Sequence, residues 1–73
     1  MMKDAQTKID GISVNFTVYE ESNNCYLEDR GLTGSLALAM SFGGLENEES
    51  GEIISIREST LNKIEAWAVA QGY

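Results

Sequence analysis

S-L-A-L-A-M-S-F, residues 35–42, is the stretch on which the fold turns. Leu36, Leu38, Met40 and Phe42 alternate with Ala37, Ala39 and Ser41, the period of a strand with one buried face. Leu, Ala and Met are at the same time strong helix formers. Eight residues stopped by Gly43-Gly44 are short for a helix and ordinary for a strand. The alternation therefore predicts a strand, and a helix here would replace a plain meander by a more mixed layout.

Upstream, Ile12, Val14, Phe16 and Val18 alternate with Ser13, Asn15, Thr17 and Tyr19, which predicts a half-buried strand over 12–19. Ser22-Asn23-Asn24 is turn chemistry, because Asn tolerates positive φ. Cys25 to Asp29 reads as a second strand with Leu27 as its core residue, and Gly31 and Gly34 bracket a bend. Met1 to Lys8 is polar and aperiodic, the composition of a frayed lead-in. Downstream, Leu45 to Glu52 reads as a polar loop around Gly51, and Ile53, Ile54 and Ile56 mark a fourth strand. Ser59 or Thr60 is placed to cap a C-terminal helix with the stripe Leu61, Ile64, Trp67 and Ala68. Gly72 is placed to end it, with Tyr73 packing back beyond.

The architecture that follows is α+β: a small four-stranded antiparallel β-meander with one C-terminal α-helix packed on one face, in a single domain over 1–73. The connections are too short for parallel crossovers. Ile12, Val14, Phe16, Val18, Leu27, Leu36, Leu38, Met40, Phe42, Ile54, Ile56, Leu61, Ile64 and Trp67 would point inward. The uncovered face would show Ser13, Asn15, Thr17, Tyr19 and Glu21 beside Tyr26 and Glu28, with Ala37 and Ala39 in the middle.

Twelve Asp and Glu stand against five Lys and Arg, a formal charge of −7, with no His, no Pro and one Cys. An apolar fraction of 42% argues for a real core and against disorder, which combines low hydrophobicity with high charge. The length is near the lower limit for folding without disulfides or metals, so thin stability or self-association is expected. Cys25 has no partner for an internal bridge, which points to a reducing, cytoplasmic setting and a half-buried turn thiol. No apolar run approaches the 18 residues of a membrane helix, and the N-terminus has no secretory pattern. The basic residues Lys3, Lys8, Arg30, Arg57 and Lys63 are scattered, so direct nucleic-acid or anionic-lipid binding is not expected.

Chemistry is narrowed in the same way. Cys25 has no His to activate it, and nearby acids raise a thiol's pKa. Paired carboxylates need an enclosing cleft that one small core hardly offers, so no enzyme activity is expected. The run E-N-E-E-S-G-E lacks Asp and the spacing of a calcium loop, so neither metal nor cofactor is expected.

Three acidic clusters remain: Glu20-Glu21, Glu28-Asp29, and Glu46, Glu48, Glu49 and Glu52. Alternate strand positions repeat about every 6.8 Å, against about 3.4 Å between phosphates along one DNA strand. A carboxylate array on that scale can imitate nucleic-acid charge towards a Lys/Arg-lined groove. Tyr19 and Tyr26, if outward, would anchor such an interface, while Trp67 is expected in the core. The sequence thus suggests a small non-enzymatic inhibitor of the phage or mobile-element kind. Its partner would be a basic protein or nucleoprotein complex, met at its nucleic-acid-binding surface. The alternative is a small homo-oligomeric structural or assembly protein, such as a homodimer, built on the uncovered face or an edge strand.

Overall fold

The structure, a computed structural model, describes residues 3–73. Strands β1 (Lys3–Ile9), β2 (Ile12–Tyr19), β3 (Ser22–Asp29) and β4 (Leu32–Ser35) form one antiparallel sheet in that order. Helix α1 (Leu36–Phe42) follows, then a ribbon of β5 (Gly44–Glu46) and β6 (Ile53–Ser55), then helix α2 (Glu58–Gln71). The class is α+β, a four-stranded antiparallel meander with a C-terminal helix on one face and a small second sheet.

The meander is not built from the four strands the patterning suggests. Most of the expected lead-in is β1, with Ala5, Thr7 and Ile9 opposite Phe16, Val14 and Ile12. Its charges hide the strand period because an edge strand is half solvated and uses charge to blunt its edge. Met1 and Met2 of that lead-in lie outside the described residues. The bend at 31–34 is largely β4, which pairs Leu32 with Asp29 and Ser35 with Tyr26.

All three hairpins turn through two residues with positive φ: Asp10-Gly11, Glu20-Glu21 and Arg30-Gly31. This is the turn whose twist matches paired strands. The second turn therefore lies at Glu20-Glu21, and β3 begins at Ser22, before the expected Cys25.

Residues 36–42 are helical rather than extended. The Ser35 hydroxyl accepts a hydrogen bond from the Leu38 backbone N–H at 3.2 Å, and Gly43 closes the helix in the left-handed region at φ 77°. Two caps and good propensity outweigh an alternation that only seven residues carry. Leu36 and Ala39, three apart, are the buried pair, while Leu38, Met40 and Phe42 are exposed instead of filling the core. The isoleucine strand at 53–55 pairs with β5 in the ribbon and not with the main sheet. There Gly44 is obligatory: a Cβ would come within 2.1 Å of the Ile54 carbonyl oxygen.

Val14, Phe16, Leu27, Leu36, Leu45 and Ile64 are the largest fully buried side chains. Each is worth about 1.5–3 kcal/mol of transfer free energy. Leu45, assigned by its neighbours to a polar loop, enters the core from β5. Cys25, Ala39 and Ala68 join it, whereas Val18, Ile54 and Trp67 are half-buried. Two covers close the inner face: α2 lies on β1 and β2, and α1 with the ribbon lies against β3 and β4.

α2 starts at Glu58 after Arg57, with no side-chain cap, so neither Ser59 nor Thr60 is the N-cap. Both stand inside the first turn, where Thr60 makes a tertiary bond instead. Glu58 there suits the positive end of the helix dipole. Gly72 does end the helix, and the Tyr73 N–H donates back to the Ala68 carbonyl at 3.0 Å.

Candidate partner-binding surface

The strand register fixes the outer face of the sheet. Residues paired across strands share a face, so Gln6, Asn15, Tyr26 and Ser35 form one rung. Lys8, Ser13, Glu28 and Thr33 form the next rung towards the first turn, and Asp4, Thr17 and Asn24 lie on the other side. Tyr26 is therefore central, 45% exposed, and Tyr19 stands at the far end, 54% exposed. Both tyrosines and Ser13, Asn15, Thr17 and Glu28 lie on the face where their alternation puts them. Ala37 and Ala39 do not, because α1 carries them away.

The acidic clusters separate. Glu20 and Glu21 form the β2–β3 turn at one end of the sheet. Glu28 lies six pairing steps away, about 20 Å along the strand. Its neighbour Asp29 falls on the opposite face, as adjacent strand residues must. No strand carries carboxylates at alternate positions among the described residues, so the evenly spaced array is not laid out along the sheet. Glu46, Glu48 and Glu49 gather instead beside β4, lining a groove with Leu32 and Thr33 of that strand. Thr33 pairs with Glu28, which brings this cluster to the same corner.

The loop that bears them is well built. The Asn47 side-chain oxygen accepts from the Glu49 and Ser50 backbone N–H groups at 3.0 and 3.4 Å, and the Asn47 N–H donates to the Glu52 carbonyl at 2.7 Å. Gly51, at φ 76°, closes the return. An Asn-centred turn thus holds Glu48 and Glu49 out in solvent. Among the described residues no three carboxylate or thiol groups converge as a metal site would require.

At the first turn the electrostatics differ. Thr60 Oγ1 donates to Asp10 Oδ2 at 2.6 Å, and Lys63 Nζ lies 3.2 Å from the same oxygen. The threonine hydroxyl first, then the lysine, hold the Asp10 carboxyl below the ordinary carboxylate range. This is the one ion pair among the described residues. Asp29 and Arg57 line the same open, polar cleft, which sets Asp29 apart from the other acidic clusters. At the other end of α2, Asn23 Nδ2 donates to the Gly72 carbonyl at 2.7 Å.

Cys25 sits in β3, 3% exposed, rather than half-buried in a turn, and burial pushes its thiol pKa up. It is a core residue, and a raised thiol pKa lowers its share of thiolate. Sequence reasoning missed Leu38 and Phe42, which end up at the surface beside Glu46 and Glu48. Their i, i+4 spacing, read at helical period, is the signal that would have found them. No described helix is long and apolar enough to cross a membrane. Comparison of the chain with protein-family models, with curated proteins and with solved structures gives no match.

Proposed function

We propose that this chain is a small non-enzymatic binding protein that occupies a basic, nucleic-acid-binding surface on a protein or nucleoprotein partner. It is an inhibitor of the kind carried by phages and mobile elements, acting in the cytoplasm. The observation that carries this reading is the unpaired charge. Twelve carboxylates face five basic side chains, and a single ion pair, Asp10–Lys63, forms among the described residues. Charge held apart from counter-charge costs self-repulsion and favours encounter with a basic partner. The bare outer face, with Tyr26 at its centre and Glu28 a rung away, supplies a contact surface rich in the residues interfaces favour. Nucleic-acid mimicry in this reading rests on the total charge and the corner cluster, not on a ruler-like array.

The test is capture of the partner from the native host, then association and dissociation rates at several salt concentrations. Replacing Glu46, Glu48 and Glu49 together by Gln should slow association and flatten its salt dependence, with folding unchanged. Neutralising Glu21 and Glu28 should also speed dissociation, because Tyr19 and Tyr26 stand beside them. Wild-type rates and salt slopes in both variants would reduce the charge to a solubility device.

One observation favours the alternative of a homo-oligomeric assembly protein: β1 is a seven-residue outer strand with an unpaired edge. Strand addition across that edge would join two copies and persist at high salt. Sedimentation at high salt separates the readings, since an anionic binding module alone stays monomeric there.

A further inference from the structure

The sheet face is not the only surface without a cover. α1 turns Leu38 outward, 56% exposed, and Phe42 one turn later, 46% exposed. Between them and β5 runs a groove floored by Ala39 and Leu45 and rimmed by Glu46 and Glu48. Its volume is about 80 Å³, room for one aliphatic side chain and well short of a small-molecule pocket. On the far side of Phe42 a second depression runs past Met40 to Glu58 and Leu61. On the near side, the groove along β4 adds Glu49. Phe42 is thus a ridge between two hollows, and Glu46, Glu48, Glu49 and Glu58 ring the patch with no lysine or arginine lining any of the three.

Apolar side chains set in one sign of charge define their complement. We infer that the α1–β5 groove docks a basic amphipathic segment of the partner, seating an apolar side chain between Leu38 and Phe42 with flanking Lys or Arg on the glutamates. This rests on the reading of the chain as an acidic binding module and adds to its outer-face contact a second, separate anchor that a short peptide can occupy alone. The groove selects by hydrophobic contact, while the surrounding carboxylates select by charge and hasten encounter. A purely charged segment satisfies only half of the site. A second copy of this chain fits poorly, because its own patch is equally acidic and like charges would meet.

The test uses the full chain, isotopically labelled, with two fluorescent synthetic peptides of equal positive charge. One carries Lys and Leu at helical spacing, and the other replaces every Leu by Ser. The Lys/Leu peptide should bind at physiological salt and perturb amide signals of Ser35 to Phe42 and Leu45 to Glu48, leaving Asn15 and Tyr26 unmoved. The Lys/Ser peptide should bind at least about tenfold more weakly, and Leu38→Ser should cost about the same factor, the value of one lost leucine contact. Because Leu38 is exposed, that variant should keep its melting temperature, and Phe42→Ser provides a second reading of the ridge.

Equal binding of both peptides would overturn the inference and leave the acidic-module reading standing. Amide shifts confined to the outer sheet face would overturn it in the same way. Self-association abolished by Leu38→Ser would assign the patch to a second copy and overturn it too. If neither peptide binds, the inference fails. The broader reading then falls only if the charge-neutralised variants also keep wild-type rates towards the captured partner.

Discussion

The two covers of the sheet's inner face differ in how completely they finish the job. α2 spans fourteen residues, buries Thr60, Leu61, Ile64 and Ala68, and is tied to the sheet at both ends. α1 has seven residues, too few to stand alone, and buries only Leu36 and Ala39. It leaves Leu38, Met40 and Phe42 in solvent. The α2 half thus closes more of the core, and the α1 half leaves exposed the apolar side chains that line the groove inferred above to dock a basic segment.

The largest test of that division is Ile64→Ala. It should destabilise by about 2–5 kcal/mol, the usual cost of emptying a buried aliphatic site, and in so small a domain it should leave much of the chain unfolded at ambient temperature. A denaturant titration in which Leu38→Ala costs as much would erase the distinction. Gly44→Ala should follow at about 1–3 kcal/mol, since its methyl must push the Ile54 carbonyl aside. Hydrogen exchange should then quicken through α1 and the ribbon before it quickens in α2; uniform acceleration would mean the two halves open together.

The middle hairpin should move the other way. Glu20 and Glu21 both adopt positive φ, at 46° and 68°, where the other turns place a glycine second. Exchanging the pair for Asn-Gly should raise stability by about 1 kcal/mol, read as a higher melting temperature. A lower one would show that the glutamates make a stabilising contact.

The tie at α2 gives a pH signature of smaller size. The Asp10 pKa is lowered by Thr60 and Lys63, so in acid the unfolded chain binds the proton more readily than the folded one. The stabilisation is present above the ordinary Asp value near about 4 and is lost as pH falls through the lower folded value. Asp10→Asn should flatten that part of the acid-unfolding curve, and an unchanged curve would show that the tie contributes nothing. Least of all, Leu38→Ser should shift stability within about 0.5 kcal/mol, as exposed positions do.

How far the sequence foretells this molecule depends on how much of each signal is local. β2 is fully legible, because a central strand buried on one face must alternate, and that alternation places Tyr19 outward, while Tyr26 follows from its pairing with Asn15. α2 is legible from Leu61, Ile64 and Ala68 and from Gly72. Residues 36–42 mislead because Leu36, Leu38, Met40 and Phe42 alternate while the helix buries Leu36 with Ala39, and the deciding hydrogen bond belongs to the Ser35 side chain. β1 is obscured by edge-strand charges, although Asp10-Gly11 is a strong two-residue hairpin signal. Of the acidic residues, exposure is readable and grouping is not. Only the fold reveals that Asp29 lines the cleft shared with Arg57 while Glu46 and Glu48 stand beside Leu38 and Phe42 and Glu49 lines the groove along β4.

Three successive hairpins also set a timetable. Every pairing in the sheet joins strands consecutive in the chain through two-residue turns, so the meander closes only short loops and incurs little entropy early. The two ties of α2 span 49 and 50 residues, and loop-closure entropy predicts that they close last. Substitutions in β2 and β3, such as Val14→Ala, are thus expected to slow refolding. Loss of the Asp10–Thr60 bond is expected to leave refolding alone and hasten unfolding. A chain that assembles its sheet before its final helix docks would, while still growing on the ribosome, already hold most of the outer face that carries Tyr26.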